Sequence, residues 1–292
     1  MKKNQIITNL LLILLLSGLV IAGIFWLNST LEEEVILPKD LKENNLIENE
    51  KDRELEEELA PIDEETKVKT ETEKDLPQVS IIIDDLGNSF ETDKKIAQID
   101  AELTLAVLPF REDTKKSLDF FADKQEIILH LPLEPSNQSQ REENMLTVDM
   151  SQEEIIENFH LALDEMRPYV SGINNHKGSH FTSSREAMET LLREVKKEEM
   201  FFVDSFTIAS SISFSLSKEM GVETARRDVF LDGQRDTEYI KARLYETVSL
   251  AESRGQAIAI GHVFPETIEV LQDEIPKLKS RINFVNVSNL LE

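Results

Sequence analysis

The stretch Ser80-Ile-Ile-Ile-Asp-Asp-Leu-Gly87 constrains the fold more than any other part of the chain. Three consecutive β-branched residues, Ile81, Ile82 and Ile83, present apolar side chains to both faces of a strand, as in parallel sheets covered on both sides. This strand runs straight into two carboxylates, Asp84 and Asp85. A charge at the end of a buried strand costs free energy unless it is paired, hydrogen-bonded or bound to a cation. The carboxyl ends of parallel strands are also where α/β folds build their sites. The plainer alternative is an acidic loop in which one Asp caps the next helix.

Helix-like and strand-like segments alternate from here to the end. A short helix is expected near Glu91–Gln98, a strand over Leu103–Leu108, a helix over Asp113–Lys124 and a strand over Glu126–Leu131. The polar stretch Glu134–Thr147 reads as a long loop over the top of the fold. Ser151-x-x-Glu154 forms a capping box for a helix reaching Met166, where Arg167-Pro168 stops it, and Ser183-x-x-Glu186 repeats the pattern before Arg185–Lys197. Val170–Asn175, Phe201–Asp204, the short Val222–Ala225, Gln256–Gly261 and Ile282–Val285 read as further strands. Helices follow Thr237, to about Arg254, and Pro265. Seven to eight β/α units predict a single α/β domain, a (β/α) barrel of parallel strands, complete or somewhat distorted.

Two segments precede this domain. In residues 1–28, Lys2 and Lys3 come before an apolar run from about Ile6 to Leu27. The run is long enough to cross a bilayer, and the lysines place its start in the cytoplasm. A single-pass cell-membrane anchor with the domain outside the cytoplasm is expected. Secretion after signal cleavage is the alternative, although no A-x-A site follows the run. Residues 29–76 are dominated by Glu, Asp and Lys and read as an acidic, disordered linker. The linker carries much of the net charge of −25, which argues against nucleic acid as a partner. The chain has no cysteine, so disulfides, thiolate ligands and thiol nucleophiles are excluded. Residues 77–292 remain for the domain.

Histidines and carboxylates gather at the strand ends: Asp84 and Asp85, His130, His176, Asp204 and His262. A single histidine beside an apolar strand is more often a satisfied core residue than a ligand, but several at successive carboxyl ends point to one site. A carboxylate with two neutral imidazoles suits Zn²⁺ or a similar divalent metal and leaves a position open for water. A second carboxylate can then accept the water's proton, and a histidine can protonate a leaving group. No G-x-S-x-G elbow and no glycine-rich phosphate loop are present. A glycosidase pair of Asp84-Asp85 with Glu134 would leave the histidines without a role.

The motifs Ile83-Asp-Asp-Leu-Gly87, Leu105-Ala-Val-Leu-Pro109, His130-Leu-Pro-Leu-Glu-Pro135, Asn175-His-Lys-Gly-Ser179, Phe202-Val-Asp-Ser205, Phe230-Leu-Asp232 and Gly261-His-Val-Phe-Pro-Glu-Thr267 resemble, in this order, the divergent polysaccharide deacetylase family. The resemblance covers nearly all of Pro77–Leu291. It implies a distorted (β/α) barrel and a metal-dependent hydrolase that removes acetyl groups from cell-envelope amino-sugar polysaccharide, with acetylated polysaccharide or peptidoglycan as partner. It assigns Asp84 as general base, Asp85 as metal ligand and His262 as general acid. Ordinary deacetylases carry His-x-x-x-His on the third strand's loop, where this chain has His130 and Glu134. Asp85, His130 and His176 are therefore the expected ligands, with Glu134 and His180 as alternates or outer orienters. Gly178 argues against one helix presenting both His176 and His180. Phe206 stands where the resemblance implies a basic residue steadying Asp84. With the altered histidine pair, this supports an alternative, a catalytically degenerate glycan-binding or envelope-assembly protein. Asp204, Asp228 and Asp232 read equally well as loop or cap residues.

Overall fold

The computed structural model describes residues 76–292. The expected anchor and nearly all of the linker lie outside the described residues. Among the described residues, no helix is long and apolar enough to cross a membrane.

Nine strands form one parallel sheet. They are β1 (Gln78–Leu86), β2 (Thr104–Val107), β3 (Glu126–Leu133), β4 (Gly172–Lys177), β5 (Phe201–Asp204), β6 (Thr224–Arg226), β7 (Val229–Phe230), β8 (Gln256–His262) and β9 (Asn283–Phe284). Their order is β6-β5-β4-β3-β2-β1-β8-β7, with β9 added beside β1. Eight strands thus follow the expected barrel path, but β6 and β7 are not hydrogen-bonded to each other. They occupy opposite edges of the sheet and are consecutive in sequence, so only Arg227 and Asp228 cross the seam. Arg227 N–H donates to the Asp204 carbonyl at 3.1 Å and Asp228 N–H to the Ile258 carbonyl at 2.9 Å. The chain itself bridges a barrel that the strand ladder leaves open.

Pleat parity sorts the side chains into two cores. Val79, Ile81 and Ile83 of β1, Ile127, Leu129 and Leu131 of β3, and Ala257 and Ala259 of β8 join the layer beneath the helices. Ile82, Ala106, Ile128, Val203, Ile258 and Ile260 instead form a smaller inner core with Phe201, closed by Val285, Val287 and Leu290 near the C-terminus. Two residues after Ile82 stands Asp84, two after Ile128 stands His130 and two after Ile260 stands His262, so all three share the inner face. At the start of β4, Gly172 leaves its space to the Phe201 ring, which a Cβ at 172 would approach to 2.2 Å.

The helices are α1 (Phe90–Asp93), α2 (Thr114–Phe121), α3 (Gln152–Met166), α4 (Arg185–Lys197), α5 (Ser213–Met220), α6 (Thr237–Arg254) and α7 (Pro265–Leu278). The capping box at α3 is present: Ser151 Oγ accepts from Glu154 N–H at 3.2 Å, and Glu154 Oε2 accepts from Ser151 N–H at 2.7 Å. The second predicted box does not form. Ser184 holds the N-cap of α4 without a side-chain bond, while Ser183 bonds to Ser179 and Ser210. Asp236 caps α6 by accepting from Tyr239 N–H at 2.8 Å. Two elements were not expected. Helix α5 is rich in serine and weakly amphipathic, and β7 has only two residues.

Candidate metal centre

The C-terminal ends of β1, β3, β4 and β8 meet around a cleft of about 400 Å³, lined by Asp84, Asp85, His130, His176, Arg227 and His262 among others. On a regular strand, consecutive Asp84 and Asp85 would face opposite sides. Here the register with β2 slips between Ile83 and Leu86, and Asp85 takes φ 69, so both carboxylates turn towards the cleft. A non-glycine residue in this region costs of order 1–3 kcal/mol. The turn that follows is held by buried Asp93, which accepts from Gly87 N–H at 2.8 Å and from Ser117 Oγ at 2.6 Å.

Asp85 Oδ1 lies 3.3 Å from His130 Nε2 and 3.1 Å from His176 Nδ1, and the two ring nitrogens are 3.1 Å apart. Among the described residues this is the group of histidine and acidic side chains whose ligand atoms converge as a cation requires. Asp85 Oδ1 is buried without a hydrogen-bond partner. Edges of this length match those of a tetrahedron with metal–ligand bonds near 2.0–2.1 Å, about 3.3 Å. The residues therefore fit a divalent ion. Burial alone would raise the Asp85 carboxyl, but the adjoining imidazoles of His130 and His176 outweigh it and hold the group well below the usual carboxylate range.

Asn174, not singled out in the sequence, organises the next layer. Its Nδ2 donates to Asp84 Oδ1 at 2.8 Å, so its Oδ1 faces His130 Nδ1 at 2.7 Å and must accept a hydrogen bond from it. This fixes the His130 tautomer and leaves Nε2 with its lone pair towards Asp85. The signal was available from parity, since Asn174 pairs directly with His130 across β3–β4 and lies two residues before His176. Asp84 is buried, which raises its pKa, while nearby His130 and His262 partly counter the effect and Asp85 adds to it.

On the other wall, His262 Nδ1 lies 2.9 Å from Asp232 Oδ1. Asp232 also accepts from His262 N–H at 2.5 Å and Thr267 Oγ1 at 2.8 Å. Asp232 thus belongs to the site, and its partners leave His262 Nε2 facing the cleft, 3.9 Å from Asp85 Oδ2. Phe264 stacks on the imidazole and Phe230 meets it edge-on. Burial would lower the His262 pKa, but Asp232 and the charges of Asp84 and Asp85 outweigh that and raise it to about 9. The other two open aspartates are structural: Asp204 accepts from Phe206 N–H and Ser211 Oγ, and Asp228 from Ile258 N–H.

No basic side chain stands at position 206, but one enters the cleft from elsewhere in the chain. Arg227, at the seam, lines the cleft and donates to the carbonyls of Ser205 and Phe206, each at 2.7 Å. Burial lowers its pKa, and the carboxylates of Asp204 and Asp84 oppose that. Nothing in local sequence spacing shows this, because the contact exists only when the seam closes.

Glu134 and His180 lie apart from the cluster. Glu134 is fully buried and accepts from Val148 N–H at 2.8 Å, from Gln138 and from Arg141, with His180 Nδ1 at 3.4 Å. Burial would raise this carboxyl, but Arg141 first and the other donors after it bring its pKa to about 2. A group with a depressed folded pKa stabilises the protein above its ordinary value, near 4.5, and loses that contribution as pH falls towards 2. Glu134→Gln is accordingly expected to cost about 1–3 kcal/mol at pH 7, with the difference from wild type vanishing as the pH approaches 2. Urea unfolding across this range measures it, and a pH-independent difference would refute it.

Comparison with known proteins agrees with this architecture. Residues 81–291 match the model of the divergent polysaccharide deacetylase family. The uncharacterized protein YibQ of Escherichia coli is 32% identical over 218 residues, covering 73% of this chain and 67% of that one. The crystal structure of an uncharacterized protein from Agrobacterium tumefaciens superposes with a TM-score of 0.70 at 25% identity, covering 74% of this chain and 89% of that one. A deacetylase solved with substrate shares the fold, with a TM-score of 0.50 at 14% identity over 74% of this chain and 90% of its own. The chain belongs to the divergent polysaccharide deacetylase family.

Proposed function

We propose that this protein is a metal-dependent hydrolase that removes acetyl groups from cell-envelope amino-sugar polysaccharide. The observation that carries the reading is the convergence of Asp85, His130 and His176 between a buried carboxylate, Asp84, and a carboxylate-bound imidazole, His262. Asp85, His130 and His176 would hold the ion, and Zn²⁺ suits one carboxylate and two imidazoles. Such an ion lowers the pKa of water and polarises a carbonyl oxygen. Asp84, held by Asn174 and kept basic by burial, takes a proton from the attacking water. His262, held by Asp232, donates a proton from Nε2 to the departing amine nitrogen. Acetate and the free amine are the products. Asn174 joins base and ligand, so the distance between the two is set by one buried amide.

The N-terminal apolar run supports a single-pass anchor that places this domain outside the cytoplasm. A soluble, shortened product with a new N-terminus near Ile24–Ser29 would replace the anchor by a cleaved signal. The catalytic reading is tested on the full-length protein by metal analysis, together with acetate release from chitooligosaccharides and peptidoglycan fragments. Bound metal with acetate release is expected. Bound metal without release from either substrate would favour a glycan-binding protein on the same fold.

A further inference from the structure

Glu142 has no part in the chemistry above, yet its carboxylate ties together three pieces of the cleft's rim. It stands in the polar segment 134–147 that leaves β3. Arg111, which follows β2, reaches Glu142 Oε2 at 2.5 Å. Lys177, the last residue of β4, pairs with Oε1 and also donates to the Gln140 carbonyl at 2.9 Å. The same Oε1 lies 3.6 Å from His176 Nε2. That nitrogen is buried and has no hydrogen-bond partner.

These facts fit together chemically. With the His176 Nδ1 lone pair given to a divalent ion beside Asp85 and His130, the neutral ring would carry its proton on Nε2. A buried, unpaired N–H then points towards a carboxylate that lies roughly 0.7 Å beyond a normal hydrogen bond. Lys177 and Arg111 both pair with the Glu142 carboxylate, so an anionic acceptor faces that N–H. An imidazole that gives its lone pair to a cation becomes a stronger donor at its other nitrogen, and such outer partners orient metal-bound histidines.

The rest of the segment is fastened independently. Glu134 binds Val148 N–H and Arg141, and Ser136 N–H donates to Ser179 Oγ at 2.8 Å. Its middle, around Gln140–Glu142, is the part that reaches His176.

We propose that Glu142 is a positioning residue, the outer partner of His176, through which a divalent ion on Asp85, His130 and His176 fastens the segment 134–147 over the cleft. This rests on the metal-centre reading above. Metal binding and order in the cleft's rim become one equilibrium, with the reciprocity that linkage requires.

The experiment uses the full-length protein with Zn²⁺ as the probe, measuring affinity by competition with a chelating dye and following amide hydrogen exchange over residues 139–145. Zn²⁺ is expected to slow exchange in this segment in the wild type. In Glu142→Gln, Zn²⁺ affinity is expected to fall 10–100-fold and the Zn²⁺-dependent protection to disappear, with exchange of the metal-free sheet unchanged. A purely structural role for Glu142 would alter metal-free exchange and leave affinity alone. Wild-type exchange in 139–145 that ignores Zn²⁺ overturns the proposal without any variant. Equal Zn²⁺ affinity in wild type and Glu142→Gln overturns it as well, with the metal centre left standing. Failure of the wild type to bind Zn²⁺ removes the metal centre and the clamp together.

Discussion

His130→Ala is expected to lose its divalent ion, and His180→Ala to retain it, when the purified full-length proteins are compared at equal folded fraction by metal analysis. His130 is almost completely buried on the inner face of β3, with Nε2 3.3 Å from Asp85 Oδ1 and its other nitrogen committed to Asn174. Truncation removes one of three converging ligand atoms and also leaves the Asn174 carbonyl without its donor. His180 is half-exposed and turned towards Glu134, so its removal acts on the loop and not on the cluster. Metal retained in His130→Ala and lost in His180→Ala would reverse the ligand assignment, making the His176/His180 pair the imidazole donors.

Asp84→Asn should keep the ion and lower acetate release by about 10²–10⁴-fold, the usual contribution of a general base. Asp84 lies farther from His130 Nε2 than Asp85 does, at 3.7 Å against 3.3 Å, and it is absent from the converging trio. The asparagine retains an oxygen to accept from Asn174, so the fold of the site is preserved while the proton acceptor is lost. Metal content and kcat measured on the same preparation separate the two roles. A variant that loses the ion would make Asp84 a ligand, and one with unaltered kcat would move the base elsewhere.

Much of this was legible in one dimension. The triple isoleucine announced a strand covered on both faces, and Ile82 with Asp84, Ile128 with His130 and Ile260 with His262 follow a period of two. That period carries an inward-facing residue from the inner core to the mouth whatever else the chain does. Asp84, His130 and His262 are therefore grouped by parity, and Asp85 and His176 only by their places at strand ends. Asn174 obeys the same period and could have been found with them. Asp232 is not decided by sequence, because an aspartate beyond a short strand reads equally well as a cap until its partner is known.

What the amino-acid order determined by itself lay in local geometry: the alternation of strands and helices, the α3 capping box, and the side of each regular strand on which a residue lies. Contacts across the barrel depended on the tertiary structure alone. The left-handed backbone at Asp85 turns two neighbouring carboxylates to one side and is stabilised by the packed turn around Asp93. Arg227 reaches the carbonyls of Ser205 and Phe206 because two residues bridge a seam between strands at opposite ends of the sheet order. Glu142 approaches His176 because a loop leaving β3 folds back over β4. In each case the partners are close in space through strand pairing and closure, which sequence separation does not encode.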